Sequence, residues 1–163
     1  MGYQRGGPVI SFKEYEAAAR AMKVGLQSLE VRGPNVALEG AFQAATKGRT
    51  SALIVITDAL LSRNRKQIAD LAIKNRLPSM CESSYYVEAG CLMSYTSSDT
   101  ESFKRSAIYV DKILKGAKPA DLPVEQPTKF EYIINLKTAK QIGLTIPPNV
   151  LVRANKVIKD APR

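Results

Sequence analysis

Two carboxylates, Asp58 and Glu82, are the first residues whose placement invites a chemical reading. Asp58 directly follows the apolar run SALIVIT at residues 51–57, and Glu82 closes a shorter run that begins at Pro78. If both runs are strands of one parallel sheet, the two acids stand at adjacent strand ends, where a general acid and base would sit. What such a reaction needs besides is missing. The chain has no histidine, no Walker loop, no nucleophile elbow and no Gly-x-Gly-x-x-Gly. Enzymatic chemistry has no visible constellation to stand on, so no catalytic residue and no cofactor is expected. Cys81 and Cys91 are the only cysteines, and without histidine they make no metal site. A disulfide between them stays open, with two free, partly buried thiols the favoured alternative.

Three loops would gather such polar groups on one edge. Residues 57–62 carry Thr57 and Asp58, residues 82–88 carry Glu82 and Tyr85, and residues 95–100 carry Tyr95, Ser97, Ser98 and Asp99. Ligands of open α/β sheets bind outside the carboxyl ends of the strands, where loops and helix amino termini converge. Ser98-x-x-Glu101 has the form of a capping box, so Ser97, Ser98 and Asp99 would sit at a helix start that favours an accepting or anionic group. Asp58 serves equally well as an Asx-turn residue and Ser98 as a plain cap. Tyr85 and Tyr86 can supply a stacking wall, one of them being core.

The elements that would position these loops alternate strand and helix. Ser11 can cap a first helix with Phe12, Tyr15, Ala19 and Met22 along one face. Residues 24–31 alternate like a strand, ending at Arg32-Gly33-Pro34. Asn35 opens a helix with Leu38, Ala41, Phe42 and Ala45 inward, stopped by Gly48. The β-branched run at residues 51–57 reads as a central strand covered on both faces. Ser62 opens the next helix, with Ile68, Leu71 and Ala72 inward; residues 78–82 form a strand, and a short helical turn precedes another at Leu92. Phe103, Ala107, Val110 and Leu114 then recur at helical spacing, Gly116 stops that helix, and a proline-punctuated connector leads to a strand at residues 130–134. Asn135 caps a last helix that Gly143 ends. The pattern is α/β: a doubly wound, mostly parallel sheet flanked by helices.

Composition narrows the classes further. At 163 residues, 45% of them hydrophobic, the chain can bury a core of its own. A net charge of +9 raises nucleic acid as a partner, yet the basic residues are scattered and fit solvated helix faces, so none is expected. No apolar run is long enough to span a membrane, and the amino terminus shows no secretory h-region.

From residue 91 onward the phrases YVDKILKGAKPADLPVEQPTKFE and INLKTAKQIGLTIP resemble the carboxyl-terminal part of ABC transporter substrate-binding proteins with the type I periplasmic-binding-protein fold. Weaker similarity runs back through PSMCESSYYVEAGCLMSY and SALIVITDALL to EYEAAARAM. The resemblance implies one lobe of a two-lobed protein: residues 1–97 as the second lobe, residues 98–163 as a segment that returns toward the first. The second lobe's opening strand has only residues 8–12 to stand in for it. Asp58 matches a polar ligand-contacting loop and residues 95–99 the entry to the hinge, while Thr57, Thr96 and Ser97 depart from the family pattern.

The implied partners are a small polar solute, such as an amino acid or related small acid, and an ABC permease. The implied location is periplasmic, with a cytoplasmic remnant as the alternative for a chain without an export signal. A truncated relative acting as an oligomerising module is the second reading. Without a first lobe, Phe103, Val110, Leu114, Phe130, Ile133 and Ile134 would be uncovered, and exchange of the terminal segment between two chains would give a homodimer.

Overall fold

A computed structural model describes residues 7–31 and 37–159. Five strands, β1 (Leu53–Val55), β2 (Ser79–Cys81), β3 (Met93–Ser97), β4 (Phe130–Asn135) and β5 (Lys156–Ile158), form one sheet in that order. β1, β2 and β3 run parallel, β4 pairs antiparallel with β3, and β5 runs parallel to β4. Around the sheet lie α1 (Gly7–Ala21), α2 (Leu38–Lys47), α3 (Ala59–Arg63), α4 (Arg65–Lys74), α5 (Ser84–Glu88), α6 (Asp99–Leu114), α7 (Leu136–Ile142) and α8 (Pro148–Leu151). The fold is the α/β layer expected, a mostly parallel sheet flanked by helices. Among the described residues no helix is long and apolar enough to cross a membrane.

Helical periodicity accounts for the core. Leu38, Phe42 and Ala45 of α2 and Ile68, Ala69 and Ala72 of α4 form one buried face over Val55 and Cys81. Burying a side chain the size of Phe42 contributes about 1.5–3 kcal/mol. A second cluster joins Leu92 and Ile134 of the sheet region to Ala139 and Ile142 of α7 and to Ile146. Asn135 accepts from the Thr138 N–H to cap α7, and Gly143, at φ 76°, ends it in the left-handed conformation that glycine adopts without strain. Cys81 and Cys91 are buried free thiols. The contact with Cys91, together with burial, holds the Cys81 thiol well above its ordinary range.

Several expectations are corrected. Residues 24–31 make no strand, although Leu29 and Val31 pack against the first cluster. Alternation licenses a strand only where a neighbouring backbone completes the ladder, and among the described residues none does. For the same reason β1 is an edge of the described sheet, not its middle, and Ile54 is 42% exposed. Residues 8–12 lie inside α1, which starts at Gly7 and not at Ser11, and Met22 is exposed. Ser62 falls within α3, whose cap is Asp58. The expected helix start at Asn35 and the turn at Arg32-Gly33-Pro34 lie outside the described residues.

The terminal region divides unexpectedly. β4 belongs to this lobe's own sheet, so Ile133 and Ile134 are buried and need no other chain to cover them. The sheet therefore draws strands from both sides of residue 97. Phe130 stays 47% exposed, as expected, and α6 keeps the expected uncovered face: it buries no residue, and Phe103, Val110 and Leu114 are 75, 55 and 82% exposed. Their helical spacing is right, but the face they make is open.

Candidate functional site

The parallel run of β1, β2 and β3 sends all three carboxyl ends to one edge, and Val55, Cys81 and Ser94 lie in register across it. The polar residues expected there fall into two groups. Glu82 holds the first group together. Its Oε1 accepts from the Tyr15 hydroxyl at 2.8 Å and its Oε2 from the Thr57 N–H at 2.9 Å, so both carboxylate oxygens bind the chain's own donors. Asp58 Oδ1 accepts from the Leu61 N–H at 2.7 Å and so caps α3. The Thr57 hydroxyl beside them is shut off from solvent without a hydrogen-bond partner. An orphaned buried hydroxyl costs about 1–3 kcal/mol, a cost that a ligand group reaching it would relieve. Tyr86 is fully buried, and Tyr85, stacked on it at 5.2 Å, stays partly open. Ser62 Oγ lies 3.3 Å from the Tyr85 hydroxyl, and the Arg65 guanidinium lies over the Tyr85 ring.

The second group is built on the end of β3. Tyr95, more than half exposed, stacks on Phe130 at 5.5 Å and meets Tyr132 edge-on. Ser97 pairs with Phe130 across the strands. Ser98 occupies the cap position of α6 but makes no side-chain cap, which corrects the capping-box expectation. Its hydroxyl donates instead to Glu131 Oε1 at 2.6 Å, and its N–H donates to the Lys129 carbonyl. A charged acceptor outcompetes a backbone donor for the hydroxyl. Asp99 stands exposed in the first turn of α6. Ser98, Lys129 and Glu131 line an open depression of about 640 Å3. Among the described residues no hydrogen bond or ring contact joins the two groups, which share the edge without touching.

Sequence reasoning missed Tyr15, Ser62 and Glu131. Tyr15 sits on an apolar helix face and gives no local sign of its partner. Glu131 does leave a sign, as the lone carboxylate of strand β4.

Burial and then the Glu82 bond push the Tyr15 phenol up to about 12, and burial pushes Tyr86 up to about 12 as well. The folded chain therefore keeps these protons after the unfolded chain, with its ordinary value of 10.0, has released them. This contribution to stability is intact below pH 10 and is lost as pH rises toward 12. An ultraviolet titration of the folded protein should show a late-ionising fraction that includes Tyr15 and Tyr86, and Tyr15→Phe should reduce it by one phenol. Absence of any late fraction would refute the burial of Tyr15 and Tyr86.

A family model described as ABC transporter substrate binding protein matches residues 9–158. The chain belongs to this family. Among curated proteins none matches it. Solved structures similar to this family member include a conserved domain protein from Vibrio cholerae, at 23% identity and TM-score 0.80, covering 91% of this chain and 50% of that one. Another is an ABC domain in complex with L-Trp from Streptococcus pneumonia, at 24% identity and TM-score 0.81, covering 93% and 52%. A third is a ligand-free, open substrate binding protein with adhesive properties from Clostridium difficile, at 19% identity and TM-score 0.72, covering 96% and 51%. The chain spans about half the length of each.

Proposed function

We propose that the chain is one lobe of the solute-binding component of an ABC-type uptake system, working with a permease outside the cytoplasmic membrane. It presents a wall of hydrogen-bonding and aromatic groups to a small polar solute and does no chemistry on it. The observation that carries this reading is the convergence of the β1, β2 and β3 loops on one edge, in a chain of the substrate-binding family. Thr57, Tyr85, Tyr95 and Ser97 are the groups with capacity to spare. Asp58, Glu82 and Ser98 shape the wall through their bonds to the chain, and Asp99 adds charge at its rim. Half-open rings at Tyr85 and Tyr95, and the L-Trp complex of the Streptococcus neighbour, make amino acids the first solutes to test.

One wall binds weakly. A site with one wall in place of two falls from the micromolar to the millimolar range, a change of about 4 kcal/mol. Amide chemical shifts followed during a millimolar titration with L-tryptophan and other amino acids should therefore move at residues 57–62, 82–88 and 95–100. Thr57→Val should abolish the movement at its loop and leave the melting temperature unchanged or higher, since it removes an unpaired hydroxyl. Shifts absent for every solute, or confined to another face, would sink the proposal. The second reading, an association module, is favoured by the open face of α6.

A further inference from the structure

We propose that Cys81 and Cys91 are an oxidisable dithiol, which a peroxide converts to a disulfide that closes the base of the loop carrying Glu82 and Tyr85. The inference concerns the chain's own covalent state and stands apart from the solute-binding reading.

The two residues lie on either side of α5 and meet in the interior. Cys81 ends β2 and packs with Val55 in the first buried cluster, and Cys91 enters the same cluster as the chain returns from α5. Their thiols hydrogen-bond to one another. The backbone holds both ends. Cys81 is level with Ser94 in the β2–β3 ladder, the Cys91 N–H donates to the Tyr86 carbonyl at 2.9 Å, and the Leu92 N–H donates to Ser79 Oγ at 2.9 Å. Sulfurs held together in this way react as parts of one molecule, without the cost of a second encounter. The Ser94 hydroxyl, directly across the ladder from Cys81, is buried without a hydrogen-bond partner, which leaves a donor for a peroxide oxygen.

The surroundings give the two sulfurs different parts. Cys91 faces two donors, the Cys81 thiol and the Ser79 hydroxyl, and these outweigh burial and hold it below its ordinary range. Cys81 gives its hydrogen bond to Cys91, is buried and stands near the Glu82 carboxylate, so it keeps its proton. The thiolate is the nucleophile, and that is Cys91. Its sulfur attacks one oxygen of hydrogen peroxide, the O–O bond breaks, and the leaving hydroxide takes the Cys81 proton to become water. Cys91 is then a sulfenic acid. The Cys81 thiolate attacks that sulfur, the S–S bond forms as the S–O bond breaks, and the second hydroxide leaves as water with the proton Cys91 had released. Two thiols have lost two electrons and two protons, and one peroxide has become two waters. Peroxide is scarcely larger than water, and the pair is covered by a helix of only five residues, followed by a turn through Gly90 at φ 121°. So short a helix opens readily. The finished bond closes a ring around α5, with Glu82 held where it accepts from Tyr15 and Thr57.

Mass spectrometry of the unmodified folded chain after equimolar hydrogen peroxide tests this. Trypsin leaves both cysteines in one peptide, Leu77–Lys104, which should be lighter by two hydrogen atoms and closed to maleimide until a phosphine reductant is added. The oxidised chain should melt higher by roughly 5–10 °C, as expected for a ring of this size, and its amides at residues 84–90 should exchange more slowly. Cys81→Ser should stop at the sulfenic acid, trapped by dimedone at Cys91, and Cys91→Ser should leave Cys81 unreacted at the same dose. The peptide mass and the melting shift are read on the unmodified chain and stand whether or not these variants fold. A peptide that keeps both thiols, one whose cysteines gain oxygen in place of losing hydrogen, a disulfide formed only between chains, or an oxidised chain that melts lower would each overturn the proposal. Amino-acid titration of the reduced chain decides the solute-binding reading separately.

Discussion

Truncating Ile134 to alanine is expected to lower the unfolding free energy by about 3 kcal/mol, within the range of about 2–5 kcal/mol for such a change in a core. Ile134 is fully buried among Leu92, Ala139, Ile142 and Ile146. The backbone on either side is fixed by the ladders to β3 and β5, so the cavity cannot easily collapse. In a chain of this size the loss corresponds to a melting temperature lower by roughly 10 °C. Phe103→Ala is the counterpart on α6. Measured in urea at concentrations too low for association, it should cost less than about 0.5 kcal/mol, because the ring is already in water. The contrast tests where the terminal region belongs. A small and concentration-dependent effect at Ile134, with a large one at Phe103, would mean that β4 leaves this sheet and α6 does not.

Asn135→Ala is expected to cost about 3 kcal/mol, more than its small size suggests. The side chain is buried and works in two directions. Its Oδ1 accepts from the Thr138 N–H at 3.1 Å, and its Nδ2 donates to the Val87 carbonyl at 3.2 Å. One amide thus starts α7 and ties it to the end of α5. Alanine removes a cap worth about 1 kcal/mol and strands a buried carbonyl at about 1–3 kcal/mol. Equilibrium unfolding gives the total, and hydrogen exchange at the Thr138 amide shows whether the helix start has opened. A loss below about 1 kcal/mol would show that water replaces both bonds at no cost.

Asn135 also shows what the sequence discloses and what it withholds. Its cap and the Gly143 stop were legible because both are settled within one turn of the helix. Ser98 carries an equally good local signal, and its hydroxyl goes to Glu131, thirty-three residues away. Nothing near Ser98 announces that competitor. The run at residues 51–57 is apolar on both faces, which describes its side chains and not its neighbours; whether a strand arrives to cover Ile54 is decided elsewhere in the chain. Residues 24–31 fail as a strand for the same cause. At the candidate site, the placing of Thr57, Asp58, Glu82 and Tyr85 on one edge was legible from strand ends and turn chemistry. Their division of labour was not, because Glu82 spends both oxygens on donors from α1 and from the end of β1.

The antiparallel pairing of β3 with β4 places Ser97 directly opposite Phe130. Measured through space, the two strand ends are neighbours of the kind a tight turn joins; measured along the chain, α6 and the whole connector lie between them. Residues 98–129 are thus a detour whose removal asks nothing of the sheet. Shortening the link to a few residues would lower the entropy cost of bringing the strands together by about 2 kcal/mol, roughly three halvings of loop length. The detour leaves and rejoins the sheet at one point, where the Ser98 N–H meets the Lys129 carbonyl and the Ser98 hydroxyl meets Glu131, so the register of β3 on β4 is held by the strands and by this one clasp.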